Sequence, residues 1–93
     1  MKIVLTELAA EDLEQVELYI RRDNPSAAVA TVLRIIEAIE VLPRFPNLGR
    51  PGRVPGTREL VVGGTPYLAV YRVKENTVFI LRVLHSAMKW PES

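Results

Sequence analysis

Residues 66–85, "PYLAVYRVKENTVFILRVLH", decide the fold. Within this stretch, two runs rich in branched and aromatic residues flank the dipeptide Glu75-Asn76. Two such runs joined by two turn-forming residues are typical of a β-hairpin. The run before them, "TRELVV" at 57–62, ends at a pair of glycines and predicts a third strand. We therefore predict an antiparallel meander in the second half of the chain.

A two-residue turn at 75–76 also predicts which side chains share a face of the sheet, since side chains alternate along each strand. In that register Ala69 pairs with Arg82, and both share a face with Tyr67 and Tyr71. This face is the less apolar one, so we expect it to be open to solvent while the opposite face meets the helices. A turn one residue longer would exchange the two faces. Arg58 is compatible with either face.

The first half of the chain predicts a short strand at 2–5 and two helices. The first helix extends from Glu7 to about Arg22 with Thr6 as its N-cap, and the second covers 25–42 with Asn24 as its N-cap. The apolar stripe predicted for the second helix comprises Val29, Val32, Leu33, Ile36 and Ile39. The helices form a hairpin that covers the sheet, which predicts an α+β fold of order β-α-α-β-β-β.

The composition indicates one soluble globular domain covering 1–93. Apolar residues make up 48% of the 93 residues and charged residues 25%, which argues against disorder. The chain has no cysteine and one histidine, so no metal site and no cofactor are implied. No leader peptide or membrane-spanning run is apparent, and we expect a cytoplasmic protein without membrane contact.

Charge is distributed unevenly between the two halves of the sequence. Residues 1–42 carry four basic and eight acidic residues, a net charge of −4. Residues 43–93 carry eight basic and three acidic residues, a net charge of +5. Such asymmetry is compatible with an uneven solvated surface or with a face that meets an anionic partner, either a nucleic acid or an acidic protein segment.

The segment 43–56, "PRFPNLGRPGRVPG", holds four prolines and three glycines, so it predicts a loop. Loops of this length in a compact domain are usually functional or disordered. We expect Phe45 and Leu48 to hold it against the core. The loop and the strand after it carry Arg50, Arg53 and Arg58, whose planar guanidinium groups suit carboxylates or phosphates.

Other candidate chemistry is sparse. His85 is the one side chain that titrates near neutral pH, which makes it the candidate acid or base, although a lone histidine at a strand end is more often structural. Trp90 is a candidate contact residue, and covering the apolar core is the more common role for such a tryptophan. The glycines of "GGTP" lie between two strands and suit a turn better than a phosphate loop.

Taken together, the chain resembles the RelE/ParE superfamily of toxins from type II toxin-antitoxin systems. The resemblance rests on "LAAEDLEQVELYI", "NPSAA", "LGRPGRVPGTRELVV", "PYLAVYRV" and "VFILRVLHSAMKW". It implies a cytoplasmic growth-inhibiting protein held in a hetero-oligomer by an acidic cognate antitoxin. In this superfamily the RelE branch cleaves mRNA in the ribosome, whereas the ParE branch poisons DNA gyrase.

The resemblance favours the ParE branch. The ribonuclease branch carries a basic residue where this chain has Val61 or Val62, and basic and aromatic residues after the last strand, where this chain has "HSAMKW". If the chain were a ribonuclease, its catalytic residues would be His85, Arg82 and Arg58. A degenerate member that binds antitoxin without toxicity is a third alternative. The residues expected to contact a partner are Arg50, Arg53, Arg58, Tyr67, Tyr71, Arg82 and Trp90.

Overall fold

A computed structural model describes residues 1–91 and confirms the α+β fold. Its elements are β1 (Lys2–Leu5), α1 (Glu7–Arg21), α2 (Pro25–Glu40), β2 (Arg50–Pro51), β3 (Arg58–Val61), β4 (Tyr67–Lys74) and β5 (Thr77–His85). The strands form one sheet of order β1-β5-β4-β3-β2. The predicted meander β3-β4-β5 is antiparallel, but β1 pairs with β5 in parallel, so the sheet is mixed. None of the helices within 1–91 has the length and apolarity that crossing a membrane requires.

The helix starts are set by local capping. Thr6 Oγ1 accepts a hydrogen bond from Ala9 N at 3.3 Å and donates one to the carbonyl oxygen of Ile80 at 2.7 Å, so the cap also fastens α1 to β5. Asn24 Oδ1 accepts from Ala27 N at 3.1 Å. These two caps confirm the predicted starts of α1 and α2.

Both helices pack on one face of the sheet. The main core joins Ala9, Leu13 and Val16 of α1 to Ile35 and Ile39 of α2. The stripe predicted for α2 is wrong in part, because Val29, Leu33 and Ile36 are exposed. The buried stripe of α2 is rotated by about one residue from the predicted one, and this rotation turns an apolar row outward.

The predicted register of the β-hairpin is correct from its turn to Tyr71 and wrong beyond that residue. Glu75 and Asn76 have φ values of 51° and 58°, which confirms the two-residue turn, and Tyr71 pairs with Ile80 as predicted. A β-bulge then adds one residue to β5, so Arg82 pairs with Val70 and not with Ala69.

The prediction of which face is open is wrong independently of the bulge, which changes only the register of β5. Tyr67, Ala69 and Tyr71 belong to the core cluster under the helices and are not on an open face. We call the side of the sheet away from the helices the outer face. It carries the buried residues Leu68, Val70 and Leu84, against which Leu81 and Trp90 pack. Both faces of these strands are apolar. The strand sequences alone therefore did not predict that the helices cover one face and that Trp90 packs on the other.

Candidate functional site

The loop that carries the arginines, residues 43–57, is fastened to the core by Tyr71. The side chain of Tyr71 is fully buried; its hydroxyl donates to the carbonyl oxygen of Pro46 at 2.7 Å and accepts from Gly49 N at 2.9 Å. A Cβ at Gly49 would lie 2.7 Å from a ring carbon of Tyr71, so this position requires glycine. Phe45 and Leu48, which were expected to hold the loop, are exposed instead. Tyr71 therefore orders the loop from beneath.

Arg58 strengthens the same attachment. It pairs with Tyr71 across β3 and β4, so its side chain lies on the helix-facing side of the sheet. Its Nη1 donates to the carbonyl oxygen of Gly49 at 2.7 Å. The guanidinium group thus satisfies a backbone acceptor of the loop.

Arg50 and Arg53 converge on Glu59 at the outer face. Glu59 Oε1 accepts from Arg50 Nη2 at 3.2 Å, and Oε2 accepts from the backbone N of Arg53 at 3.0 Å and lies 3.4 Å from Arg53 Nε. The Glu59 side chain is only 1% exposed. Burial by itself would raise the pKa of Glu59, but the hydrogen bonds from Arg53 and Arg50 and their positive charges outweigh it and hold the pKa below its usual value. The carboxylate is therefore charged near neutral pH.

Trp90 covers the outer face and contacts two of the candidate arginines. Its ring packs on the small cluster of Leu68, Val70 and Leu84. Its carbonyl oxygen accepts from Arg53 Nη1 at 3.4 Å, and the guanidinium carbon of Arg82 lies 5.7 Å from its ring centroid, within cation-π range. Its indole Nε1 is buried and has no hydrogen-bond partner among the residues that the structure describes.

Asp12 of α1 forms a salt bridge with Arg82. Arg82 Nε lies 2.8 Å from Asp12 Oδ2 and Arg82 Nη2 lies 3.0 Å from Oδ1, while Val83 N donates to Oδ2 at 2.9 Å. Because β1 ends at Leu5, the carboxylate of Asp12 takes the place of a strand partner at the edge of β5. Asp12 was not among the predicted site residues, although its position between Ala9 and Val16 on the buried stripe of α1, where a carboxylate requires a partner, was a signal for this pair.

His85 lies on the helix-facing side of the sheet, since it pairs with Tyr67. Its Nδ1 accepts from Ala87 N at 3.1 Å, and its ring meets that of Tyr67 edge-on, with centroids 5.6 Å apart. With Tyr19 and Met88 it lines an open groove between α1 and β5, with a volume of about 310 Å³. Burial, and to a lesser degree Tyr19, raises the pKa of Tyr67 above its usual value. His85 itself is exposed.

These positions separate the candidate residues into two groups. Arg50, Arg53, Arg82 and Trp90 are joined by contacts across the outer face, whereas Arg58 and His85 lie on the helix-facing side. Arg58 stands level with Tyr71 on β3 and His85 level with Tyr67 on β5. Their backbones are thus about 13 Å apart along the strands and about 10 Å apart across them. The three residues of the ribonuclease hypothesis do not form one site.

The arrangement on the outer face can recognise charged groups, because Arg50 and Arg53 keep side-chain exposures of 59% and 41% despite their contacts with Glu59. In residues 1–91, no group of three or more His, Asp or Glu side chains is placed to hold a metal ion.

Comparison with known proteins gives consistent results. Residues 3–90 match the family model described as the ParE toxin of the type II toxin-antitoxin system parDE. The putative toxin Y4kP of Sinorhizobium fredii (strain NBRC 101917 / NGR234) is 42% identical over 84 residues, covering 90% of this chain and 86% of that protein. Toxin RelE2 of Caulobacter vibrioides (strain ATCC 19089 / CIP 103742 / CB 15) is 36% identical over 86 residues, covering 92% of this chain and 96% of that protein. A solved structure of a chromosomal ParDE system from P. aeruginosa superimposes with a TM-score of 0.87 at 33% identity, covering 91% of this chain and 95% of that one.

Proposed function

Because the chain belongs to the ParE toxin family of type II toxin-antitoxin systems, we propose that it inhibits growth by binding DNA gyrase and that a cognate antitoxin neutralises it. The observation that favours gyrase over mRNA as the target is the distance between Arg58 and His85, which lie four residues apart along the sheet and two strands apart across it. RNA cleavage without a metal needs an acid, a base and a positive charge around one phosphate. A toxin that acts by binding a protein does not need an acid, a base and a positive charge at one point. Because gyrase is a cytoplasmic enzyme, the proposed toxin would act in the cytoplasm.

The outer face supports the same choice. Its centre is apolar and covered by Trp90, and its arginines surround the charged carboxylate of Glu59. The Glu59 carboxylate occupies the inward-facing donors, so the exposed parts of Arg50 and Arg53 remain for single carboxylates of a protein partner.

A supercoiling assay with purified gyrase tests the proposal. Toxin added in increasing amounts should block supercoiling or cause cleaved DNA to accumulate. The variant His85→Ala should inhibit gyrase as strongly as the wild type, because the contacts of His85 within residues 1–91 are one local hydrogen bond and one ring contact, and gyrase binding requires no acid or base. Absence of any effect on gyrase at saturating toxin would refute the proposed target.

A ribosome-dependent endoribonuclease is the second candidate. It is favoured by the similarity to a protein named toxin RelE2 and by the exposed His85, whose groove also includes Asp12, the partner of Arg82. In this case His85→Ala should abolish both toxicity and mRNA cleavage while leaving antitoxin binding intact. Induced expression with a growth readout separates both candidates from a degenerate protein that binds antitoxin without being toxic.

We further propose that the antitoxin covers the outward side of the helical hairpin. One groove there lies between α1 and α2, a second adjoins it between the hairpin and β1, and both are lined by Leu13. One also includes Leu18 and Val32 and the other Leu5 and Ile36, and the exposed Leu33 lies beside them on α2. Large exposed apolar surfaces of this kind mark protein interaction sites. An apolar segment of the antitoxin would bind here, while an acidic segment would reach Arg50 and Arg53.

Leu33→Glu tests this surface. Leu33 is 52% exposed, so the substitution should leave the fold intact but weaken antitoxin binding at least tenfold. Isothermal titration calorimetry with the purified antitoxin measures this change in affinity. Val73→Glu is the matched control, because Val73 is 40% exposed, lies next to the turn between β4 and β5, and lines neither groove. Equal effects of the two substitutions would argue against the proposed surface.

A further inference from the structure

The contacts of Glu59 have the form of an anion-binding site. Its carboxylate faces three N–H groups, namely Arg50 Nη2–H, the backbone N–H of Arg53 and Arg53 Nε–H. Two guanidinium groups together with a backbone amide are a donor set that proteins use for phosphate and carboxylate groups.

The loop holds these donors in place through contacts that do not involve Glu59. Gly52 N donates to the carbonyl oxygen of Thr57 at 2.8 Å, and Thr57 Oγ1 donates to the carbonyl oxygen of Val54 at 2.6 Å. Gly56 completes the turn with a φ of 85°. We therefore expect the backbone N–H of Arg53 to keep its position when the carboxylate is removed, as in a preformed site.

We propose that this is an anion-binding site which the chain fills with its own Glu59 carboxylate, and that Glu59 is the residue which keeps RNA phosphates from the outer face. This inference rests on the proposed function, since it gives a reason why the arginines of the outer face do not bind RNA. Glu59 acts here as a specificity-determining residue and not as a catalytic one.

Glu59 lowers the positive charge of the outer face. With Glu59 ionised, Arg50, Arg53 and Glu59 together carry a net charge of +1, and their inward-facing donors are occupied. Glu59 lies on β3 between β2 and β4, and its side chain is 1% exposed, so the strand holds the carboxylate against the three donors. Without its charge the same site would carry +2 and present three free donors to a phosphate.

The size of the effect follows from counterion release. One additional phosphate contact to a single strand steepens the slope of log K against log salt by about 0.7. Relative to 1 M salt, this amounts to roughly an eightfold gain in affinity at 50 mM salt. We therefore expect Glu59→Gln, and more clearly Glu59→Ala, to bind single-stranded RNA roughly tenfold more tightly than the wild type at that salt concentration.

The experiment is a fluorescence anisotropy titration of a short labelled oligouridylate at several KCl concentrations, with circular dichroism to verify folding. Glu37→Gln is the matched control, because it removes an equal charge from the exposed side of α2. Adding Arg50→Ala to Glu59→Gln should abolish the gain. A gain of less than twofold for both Glu59 variants, or an equal gain for Glu37→Gln, would overturn the inference.

A second measurement uses the wild-type chain and thus does not depend on how the variants fold. When inorganic phosphate is titrated, the amide resonance of Arg53 should not shift, because that N–H is already bound to Glu59. A saturable shift of this resonance in the wild type would overturn the inference. Failure of the gyrase proposal is detected separately, by the supercoiling assay on the wild type.

Discussion

Replacing Asp12 by alanine should destabilise the protein strongly, because this one carboxylate joins α1 to the edge of β5. It receives two hydrogen bonds from Arg82 and one from the backbone N–H of Val83. A hydrogen bond to a charged group contributes about 1.5–3 kcal/mol when buried. The side chains of Arg82 and Asp12 retain exposures of 24% and 16%, so solvent screens part of this energy.

We therefore assign about 2 kcal/mol to the bidentate pair and about 1 kcal/mol to the Val83 N–H that would lose its acceptor. Asp12→Ala should lower the free energy of unfolding by about 3 kcal/mol, and Tm by about 12–24 °C for a domain of this size. Asp12→Asn retains the shape and an acceptor oxygen, so it should lose about half as much.

Urea and thermal unfolding followed by circular dichroism measure both quantities. Glu11→Ala is the control, because Glu11 precedes Asp12 on the same helix and is exposed. A double-mutant cycle with Arg82→Met should give a coupling energy of about 1–2 kcal/mol. If Asp12→Ala lost less than about 1 kcal/mol, or no more than Glu11→Ala, the assigned role of the carboxylate would be refuted.

Three further predictions concern the loop at 43–57. Tyr71→Phe removes both hydrogen bonds to the loop and should cost about 1–3 kcal/mol in urea unfolding; a cost below 0.5 kcal/mol would argue against the anchor. Gly49→Ala forces a Cβ against the Tyr71 ring and should be destabilising in the wild type, but much less so in Tyr71→Ala, as a double-mutant cycle would measure. Because folding lowers the pKa of Glu59 below its ordinary value of 4.5, its stabilisation is present above that pH and is lost as pH falls through the folded pKa. The stability advantage of the wild type over Glu59→Gln should accordingly shrink in acid, and a pH-independent difference would contradict the assignment.

Much of the secondary structure is encoded locally. The turn at Glu75-Asn76 forms where two residues that tolerate positive φ separate two β-forming runs. Thr6 and Asn24 cap their helices through side chains that reach only three residues ahead. A short stretch of sequence contains every group that takes part in these features, so sequence patterns alone predict them.

The candidate site depends on interactions between distant residues. Asp12 and Arg82 are 70 residues apart, and the pairing of Glu59 with Arg50 and Arg53 requires the loop to fold back onto β3. Local patterns did not predict the bulge opposite Val70 and Tyr71, which shifts the pairing of β5 with β4 by one residue.

The sequence by itself determined the α+β class, the order of the main elements, the family resemblance and the concentration of arginines in the loop at 43–57. Only the tertiary structure decided which face of the sheet is covered by the helices, that Tyr67 and Tyr71 lie in the core, and that Glu59 occupies the space between Arg50 and Arg53. The physical reason is that helix caps and turns are satisfied within a few residues. Burial of a face and pairing of a charge are satisfied only when distant segments come together.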